Sequence, residues 1–571
     1  MDVAKDPQTS PGPSPRSGLR TFSARRTLLT TAVAAVLIAG ALVIRPAEPD
    51  APQSPKPEER ALSAVGAGSP AAVQDLTALI GDREAWLRTH PEDSGSWAVL
   101  GSAYLERARR TADSANYPPA ERALQRSLAA KPLEKGNIEA VVGMGALANA
   151  RHDFGTAKRW GELVRAQSPG RWAAYPVLID AYSGLGEYPA AGKAMEKLVA
   201  LRPGTLAYTS VAQVYRDRGW REDAAAAMQQ AAGAAGSPTE KADSMYRLGE
   251  LSWERGEPEE ALRHFESALR TDPTRHQALG GRARTLAALD RSGEAVKDYR
   301  TALKRAPVPQ YALELGELLE SLGRAEEARE PYDLLRAQIA RSATHGVSEE
   351  LTLGLFEADH GDPAAAARRL SAEWKRHKSM HVADALGWAL YQQGKHERAL
   401  VFAKKATNAG LRSADFAYHR GLIERALGLH GAARRHLDEA LRTNPRFSPL
   451  RAPLALEALD HVGEPPPGGP ENMQGTQSPA PGTALQPAEP QTATGQQPQQ
   501  QPQQQQQQQP SPQPRPQQPQ QAQPQQAQPQ QPRPQQAQPP SQGAGQSSPS
   551  STAPIRPAAP PPAQQQPSAG Q

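Results

Sequence analysis

Between residues 94 and 445, small and apolar residues return in one order at a spacing of about 34. Leu248-Gly249, Gly256, Ala261, Phe265, Ala268 and Pro273 set the frame. One period on stand Arg282-Ala283, Asp290, Ala295, Tyr299, Ala302 and Pro307, and a further period on stand Leu315-Gly316, Gly323, Ala328, Tyr332 and Leu335. The frame returns at Gly421, Gly428, Ala433, Leu437, Ala440 and Pro445. Ala261, Phe265 and Ala268 are four and three apart, the spacing of one helix face. A glycine separates two such runs where the chain must turn, and a proline stops the second run. The pattern predicts two helices per period and ten units, over 94–132, 138–169, 172–203, 205–234, 242–273, 276–307, 309–340, 347–376, 380–410 and 414–445. A leading helix is expected over 71–93 and a closing helix over 446–461, with Phe447, Leu450, Leu454, Leu456 and Leu459 as its apolar positions. End helices are needed because a stack of repeats must cover its terminal faces.

The period is not uniform. In the first unit Trp97, Leu100, Gly101 and Tyr104 are followed by Ala120, Leu124, Ser127 and Pro132 only after about seven extra residues around Arg109 to Asn116. Unit 138–169 carries Ala148 and Gly161 where large residues stand elsewhere, and unit 347–376 carries Glu357 in such a place. The stretches Ile339 to Gly346 and Trp374 to Lys378 also break the period, and a bend or widened joint is expected there.

This frame resembles the tetratricopeptide repeat, a 34-residue helix–turn–helix. The resemblance implies an all-α superhelical solenoid whose first helices line a concave groove for a protein or peptide partner. Its inward positions lie at or near the residue after the first-helix glycine. Carried onto this chain, the candidate groove residues are Asp180, Gln213, Arg216, Tyr246, Glu250, Trp253, Arg284, Glu317, Trp388, Tyr391, Tyr418 and Arg425, with Ser183, Glu320, Asp384 and Leu422 beside them. Tyr246/Trp253 and Trp388/Tyr391 form two aromatic patches suited to anchoring a peptide or helix. The family's carboxylate-clamp subtype wants Asn after the glycine. Here that position holds Ser102, Ala146, Asp180, Gln213, Glu250, Arg284, Glu317, Leu355, Trp388 and Leu422, so a clamp for chaperone tails is not expected.

The flanks differ in kind. Residues 27–44 read TLLTTAVAAVLIAGALVI, an uncharged run of the length a bilayer-spanning helix needs. Lys5, Arg16, Arg20, Arg25 and Arg26 precede it, which predicts a cytoplasmic segment 1–26 and export of the chain beyond residue 45. A bacterial membrane-anchored repeat protein at the plasma membrane is the expectation, with a secreted form if the run is cut near residue 41. Residues 45–70 read as a flexible linker. Residues 462–571 hold 28 of the 56 prolines and no aromatic residue, so a disordered Pro/Gln-rich tail is expected.

Composition narrows the chemistry. With no cysteine, thiol catalysis, disulfides and cysteine-held metals are excluded. Net charge of +5 includes +3 from segment 1–26, leaving the repeats too balanced to read as nucleic-acid binding. His396-Glu397 lacks the second histidine of a zinc-protease motif, since Leu400 stands there, and His419, His430 and His436 read as surface or turn residues. Glu259-Glu260, Glu326-Glu327 and Glu349-Glu350 open helices, where acids suit the positive helix end. No cofactor or metal is expected. The sequence predicts a non-enzymatic, membrane-tethered interaction scaffold. The alternatives are a cell-wall glycan-binding accessory protein, stacking sugars on the groove aromatics, and a cytoplasmic peptide-sensing regulator.

Overall fold

The computed structural model describes residues 54–463. The expectations for 1–26, 27–44 and 464–571 fall outside those residues. Two helices lead, α1 (Pro57–Ala67) and α2 (Val73–Thr89). Ten helix pairs come next among the described residues. They are α3 (Ser94–Thr111) with α4 (Tyr117–Ala130), α5 (Ile138–Ala150) with α6 (Phe154–Gln167), and α7 (Ala174–Leu185) with α8 (Tyr188–Leu201). Then come α9 (Thr205–Asp217) with α10 (Arg221–Gly233), α11 (Pro238–Glu254) with α12 (Pro258–Thr271), and α13 (His276–Ala288) with α14 (Ser292–Arg305). The last four are α15 (Pro309–Ser321) with α16 (Ala325–Thr344), α17 (Glu350–His360) with α18 (Pro363–Arg376), α19 (Met380–Gln392) with α20 (His396–Thr407), and α21 (Ala414–Ala426) with α22 (His430–Thr443). Helix α23 (Arg451–Val462) closes the stack.

Local signals place the helix starts. Asp93, Asn137, Asp153, Ser237, Ser379 and Ser413 each accept a backbone N–H from the first turn of the next helix. Pro203, Pro273, Pro307 and Pro445 fall just beyond second helices. Within a pair, the first-helix glycine seats a large residue of the second helix: Gly101 takes Leu124, Gly249 takes Phe265 and Gly316 takes Tyr332. A Cβ at any of the three would collide with that side chain, so the glycine sets how closely the helices approach. Leu124, Phe265, Leu335 and Leu437 are fully buried and form the spine of the stack.

The superhelix is wound so tightly that its second turn lands on its first. Tyr188 Oη accepts from Met380 N–H at 2.9 Å, a separation of 192 residues. Asn444 Nδ2 donates to Trp253 O at 2.8 Å, 191 residues apart. Arg151 Nε donates to His345 O at 3.0 Å, 194 residues apart, and Ser348 N–H donates to Arg151 O at 3.1 Å. Each contact joins the turn inside one repeat to a loop more than five repeats further on. Gly219, in the turn between α9 and α10, has φ +77° and lies directly against the carbonyl of Gly410. No side chain fits there in either respect. Gly323, the equivalent residue between α15 and α16, has φ +72° but open space around it.

Two of the breaks in the period meet at this seam. The insertion after α3 forms a short 3-10 turn, Ser114–Asn116, and Ser114 Oγ lies 2.9 Å from His345 Nδ1. His345 comes just after the overlong α16, which runs through the stretch expected to bend. Arg110, from the insertion, pairs with Asp272 at the end of α12.

Three expectations need correction. The linker assigned to 45–70 is helical over Pro57–Ala67, with Pro57 at the first position, Glu58 and Glu59 in the first turn, and Ala61 fully buried. Arg60 pins that helix to Asp75 at 2.6 Å. In α23 the buried face is Ala452, Ala455 and Ala458, while Leu454 and Leu456 point outward. The third concerns the membrane. Among the described residues no helix is long and apolar enough to cross a bilayer. The longest, α16, carries Glu326, Glu327, Arg329, Glu330, Asp333, Arg336 and Arg341. The segment expected to span, 27–44, lies outside those residues, so the transmembrane helix, the membrane partner and the plasma-membrane location are withdrawn.

Candidate functional site

The wound superhelix encloses a cavity of about 1040 Å³. The first helices α3, α5, α7, α9 and α11 supply its wall, α1 contributes Leu62 and Val65, and the second turn closes it with 348–352 and 373–382. Helix periodicity explains the lining. On α7, Pro176, Val177, Asp180, Ser183 and Gly184 form one stripe three and four residues wide, and all face the lumen. Val99, Leu105, Val142, Trp172 and Leu206 give it apolar surface. Eight carboxylates and four arginines also line it, with no lysine, so the lumen carries an excess of acid.

Most of those charges are already matched. Arg247 Nε donates to Asp243 at 2.8 Å, Arg275 pairs with the same carboxylate, and Arg109 Nη1 approaches it at 3.8 Å. Burial works against ionising Asp243, but these three guanidinium groups outweigh it and hold its pKa well below the usual range. Arg109 is itself bound to Glu106 at 2.8 Å, and Arg216 to Glu254 at 2.6 Å. His381 lies in the wall, where burial and then Arg216 push its pKa down to about 4, so it is neutral at pH 7.

Asp180 differs. Its side chain is exposed to the lumen, set among the cavity walls. Burial pushes its pKa up to about 6, and Asp217 adds to the effect. Arg247, a hydrogen bond from Gln213 and Arg109 act the other way without overcoming it. Both arginines are engaged elsewhere, and Asp180 forms no ion pair among the described residues. Burial raises Asp217 as well, despite Arg216 at 3.4 Å.

Beyond the lumen the concave face is filled by the protein itself. Arg284 Nη2 binds Glu250 at 2.7 Å, its Nη1 reaches Glu314 at 3.3 Å, and its guanidinium lies over Trp253. Burial still lifts Glu250, which Arg284 only partly offsets. Arg451, the first residue of α23, reaches in among Glu317 at 3.2 Å, Asp359 at 3.3 Å and Asp415 at 3.5 Å. Burial opposes ionisation of Glu317, but Arg451 and His360 win and lower its pKa.

Of the twelve candidate groove residues, Asp180, Gln213 and Arg216 line the cavity. Tyr246, Glu250 and Arg284 are half-buried in the ion network or against it, and Glu317 is buried under Arg451. The aromatic anchors are packing residues. Trp253 is 8% exposed, Trp388 4% and Tyr418 2%. Trp388 stacks between Tyr391 and His419, and its Nε1 donates to Asp359 at 2.7 Å. Tyr391 is half-buried and Arg425 lies exposed outside the cavity. His419, expected at the surface, is buried and held by Asp384 at 2.9 Å, and His436 is held by Glu424 at 2.6 Å. The sequence reading missed Ser102, Ala146 and the α1 residues as lining. Ser102 and Ala146 stand at the same frame position as Asp180 and Gln213, so the signal was present. Among the described residues no group of three or more His, Cys, Asp or Glu side chains could hold a metal ion.

Residues 212–276, 281–343 and 385–446 match the tetratricopeptide repeat family. No curated protein matches the chain. Among solved structures, it is similar to TTC0263, a thermophilic tetratricopeptide-repeat protein of Thermus thermophilus, at 21% identity over 33% of this chain and 98% of that one, with a TM-score of 0.29. It is similar to a repeat protein from Parabacteroides merdae at 18% identity, over 45% and 98%, with a TM-score of 0.28. A chain of the APC/C hetero-tetramer Cut9-Hcn1 matches at 15% identity, over 69% and 83%, with a TM-score of 0.37. The family match and the ten helix pairs together make the fold an all-α tetratricopeptide-repeat superhelix. Repeats of this kind are non-catalytic binding frames, and the chain is not an enzyme.

Proposed function

We propose that the protein is a peptide-binding scaffold or regulator that takes an extended segment of a partner into the lumen of its first superhelical turn. The observation that carries this reading is the cavity of about 1040 Å³, walled by first helices and part apolar, part charged. No membrane tether belongs to the proposal. The glycan reading loses its basis, because Trp253 and Trp388 are packed and offer no free ring face to a sugar. A nucleic-acid ligand is disfavoured by the lumen's excess of carboxylates.

Site-specific photo-crosslinking tests it. A benzophenone amino acid at Thr209, which lines the lumen, is compared with one at Arg425, which does not. The expected result is crosslinked peptide from an added peptide library at Thr209 alone. Equal yield at both positions, or none at either, overturns the proposal.

A further inference from the structure

Three repeats place an acid at one frame position, the residue after the first-helix glycine or its equivalent: Asp180 on α7, Glu250 on α11 and Glu317 on α15. Two of the three receive an arginine from elsewhere in the chain. Glu250 takes Arg284 at 2.7 Å, from the next first helix. Glu317 takes Arg451 at 3.2 Å, from the closing helix. Among the described residues Asp180 has no cation within ion-pair distance, and its neighbours Arg247 and Arg109 are bound to Asp243 and Glu106. It is also the one of the three that opens into the cavity.

Arg451 shows what this face accepts. A single guanidinium from a neighbouring segment enters between carboxylates of three first helices, Glu317, Asp359 and Asp415, with Tyr418 alongside. The closing helix thus brings to the back of the concave face the ion-pair partner that Asp180 at the front lacks. We propose that the lumen's ligand is a peptide segment with an arginine or lysine beside small apolar side chains, and that its cation pairs with Asp180. This rests on the peptide-binding reading above and names the chemistry it selects. The acid excess supplies the charge complement, and Val99, Val142, Trp172 and Leu206 supply surface for the neighbouring apolar residues. An arginine fits best, because Gln213 and Asp217 stand beside Asp180 as further acceptors for a planar fork of donors. An acidic or neutral segment would cover Asp180 without pairing it, which selects against such a ligand.

The test uses the full chain on an immobilised array of nonapeptides. Each carries Ala, Leu, Ser and Val around a fixed central Arg, Lys, citrulline or Glu. Retention on Arg and Lys peptides is expected to exceed that on citrulline by about tenfold. Asp180→Asn, nearly isosteric, should abolish that difference. Asp180→Lys should move the preference to central Glu. Both variants are first matched to the unaltered chain in far-UV dichroism and melting temperature. Equal retention for all four centres overturns the cation pairing but leaves the peptide reading standing. A preference for Arg that survives Asp180→Asn overturns the assignment to this residue. Absence of retention at every centre overturns both.

Discussion

The front and back of the concave face are built from the same repeat and end in opposite states. At the front, α3 to α9 enclose open space, and Asp180 looks into it without an ion-pair partner. At the back, Glu250 and Glu317 meet Arg284 and Arg451, and Trp388 and Tyr418 are packed away. The difference lies in whether the chain brings its own countercharge. A groove position in this fold is therefore a structural or a binding position according to what a distant segment delivers to it, and the repeat frame alone does not decide which.

The sharpest way to break the contrast is to empty the back. Arg451→Met leaves Glu317 buried without its partner and should destabilise the chain by about 3–5 kcal/mol. Urea or thermal unfolding would show it, and the double variant Arg451→Met/Glu317→Gln should recover much of the loss, since Glu317 is the most buried of the three carboxylates around Arg451. Recovery would mean that the pair serves placement more than net stability.

The seam offers the next contrast. Gly219→Ala meets both an unfavourable φ and the carbonyl of Gly410, whereas Gly323→Ala meets only the φ. We expect a loss of about 1 kcal/mol at Gly323 and roughly 2–4 kcal/mol at Gly219. Equal losses would mean that the turns do not press on each other in solution.

A smaller effect arises from protonation. The Asp180 carboxyl has its pKa pushed up to about 6, so a cationic peptide is held above that value and released as the pH falls through it. Retention of arginine-centred peptides should drop about tenfold between roughly pH 7.5 and 5, with citrulline peptides unaffected. The smallest effect concerns stability without ligand. The folded chain holds this proton up to about pH 6, beyond the ordinary carboxylate range, so ionising Asp180 costs stability as pH rises through that window. Asp180→Asn should raise the melting temperature by about 1–2 °C near pH 7 and by nothing near pH 4, the lumen water having screened most of the penalty. A residue whose removal stabilises the empty protein is one kept for binding.

Much of this architecture could be read from the chain. The 34-residue frame located the helix pairs because glycine, aromatic and proline each have one steric job in it. The frame also pointed inward at Asp180 and Gln213. It failed on the aromatics, because inward means solvent-facing only in a wide superhelix. Here neighbouring first helices close over Trp253, Trp388 and Tyr418. Residues 57–67 read as a linker because their Pro, Glu, Ala and Ser composition is that of both a tether and a well-started helix. The seam was invisible to any local pattern, since its partners lie 162 to 231 residues apart. Its trace was nonetheless present in the sequence as irregularity. The extra residues around Ser114 and the overrun toward His345 are where the period fails, and these two places touch.

The spacing across that seam has a further effect. Repeat arrays ordinarily gain or lose a unit at the cost of one interface, because each unit knows only its neighbours. A separation of 192 residues falls between five and six periods of 34, so each backbone contact mates the turn of one unit with the gap between two others. Remove a single unit between the mated turns and equivalent frame positions still meet, but each turn then faces the loop one unit further along, with other side chains in it. What ties the number and order of units between mated turns is therefore the set of side chains particular to each contact, such as Tyr188 with Met380 and Asn444 with Trp253.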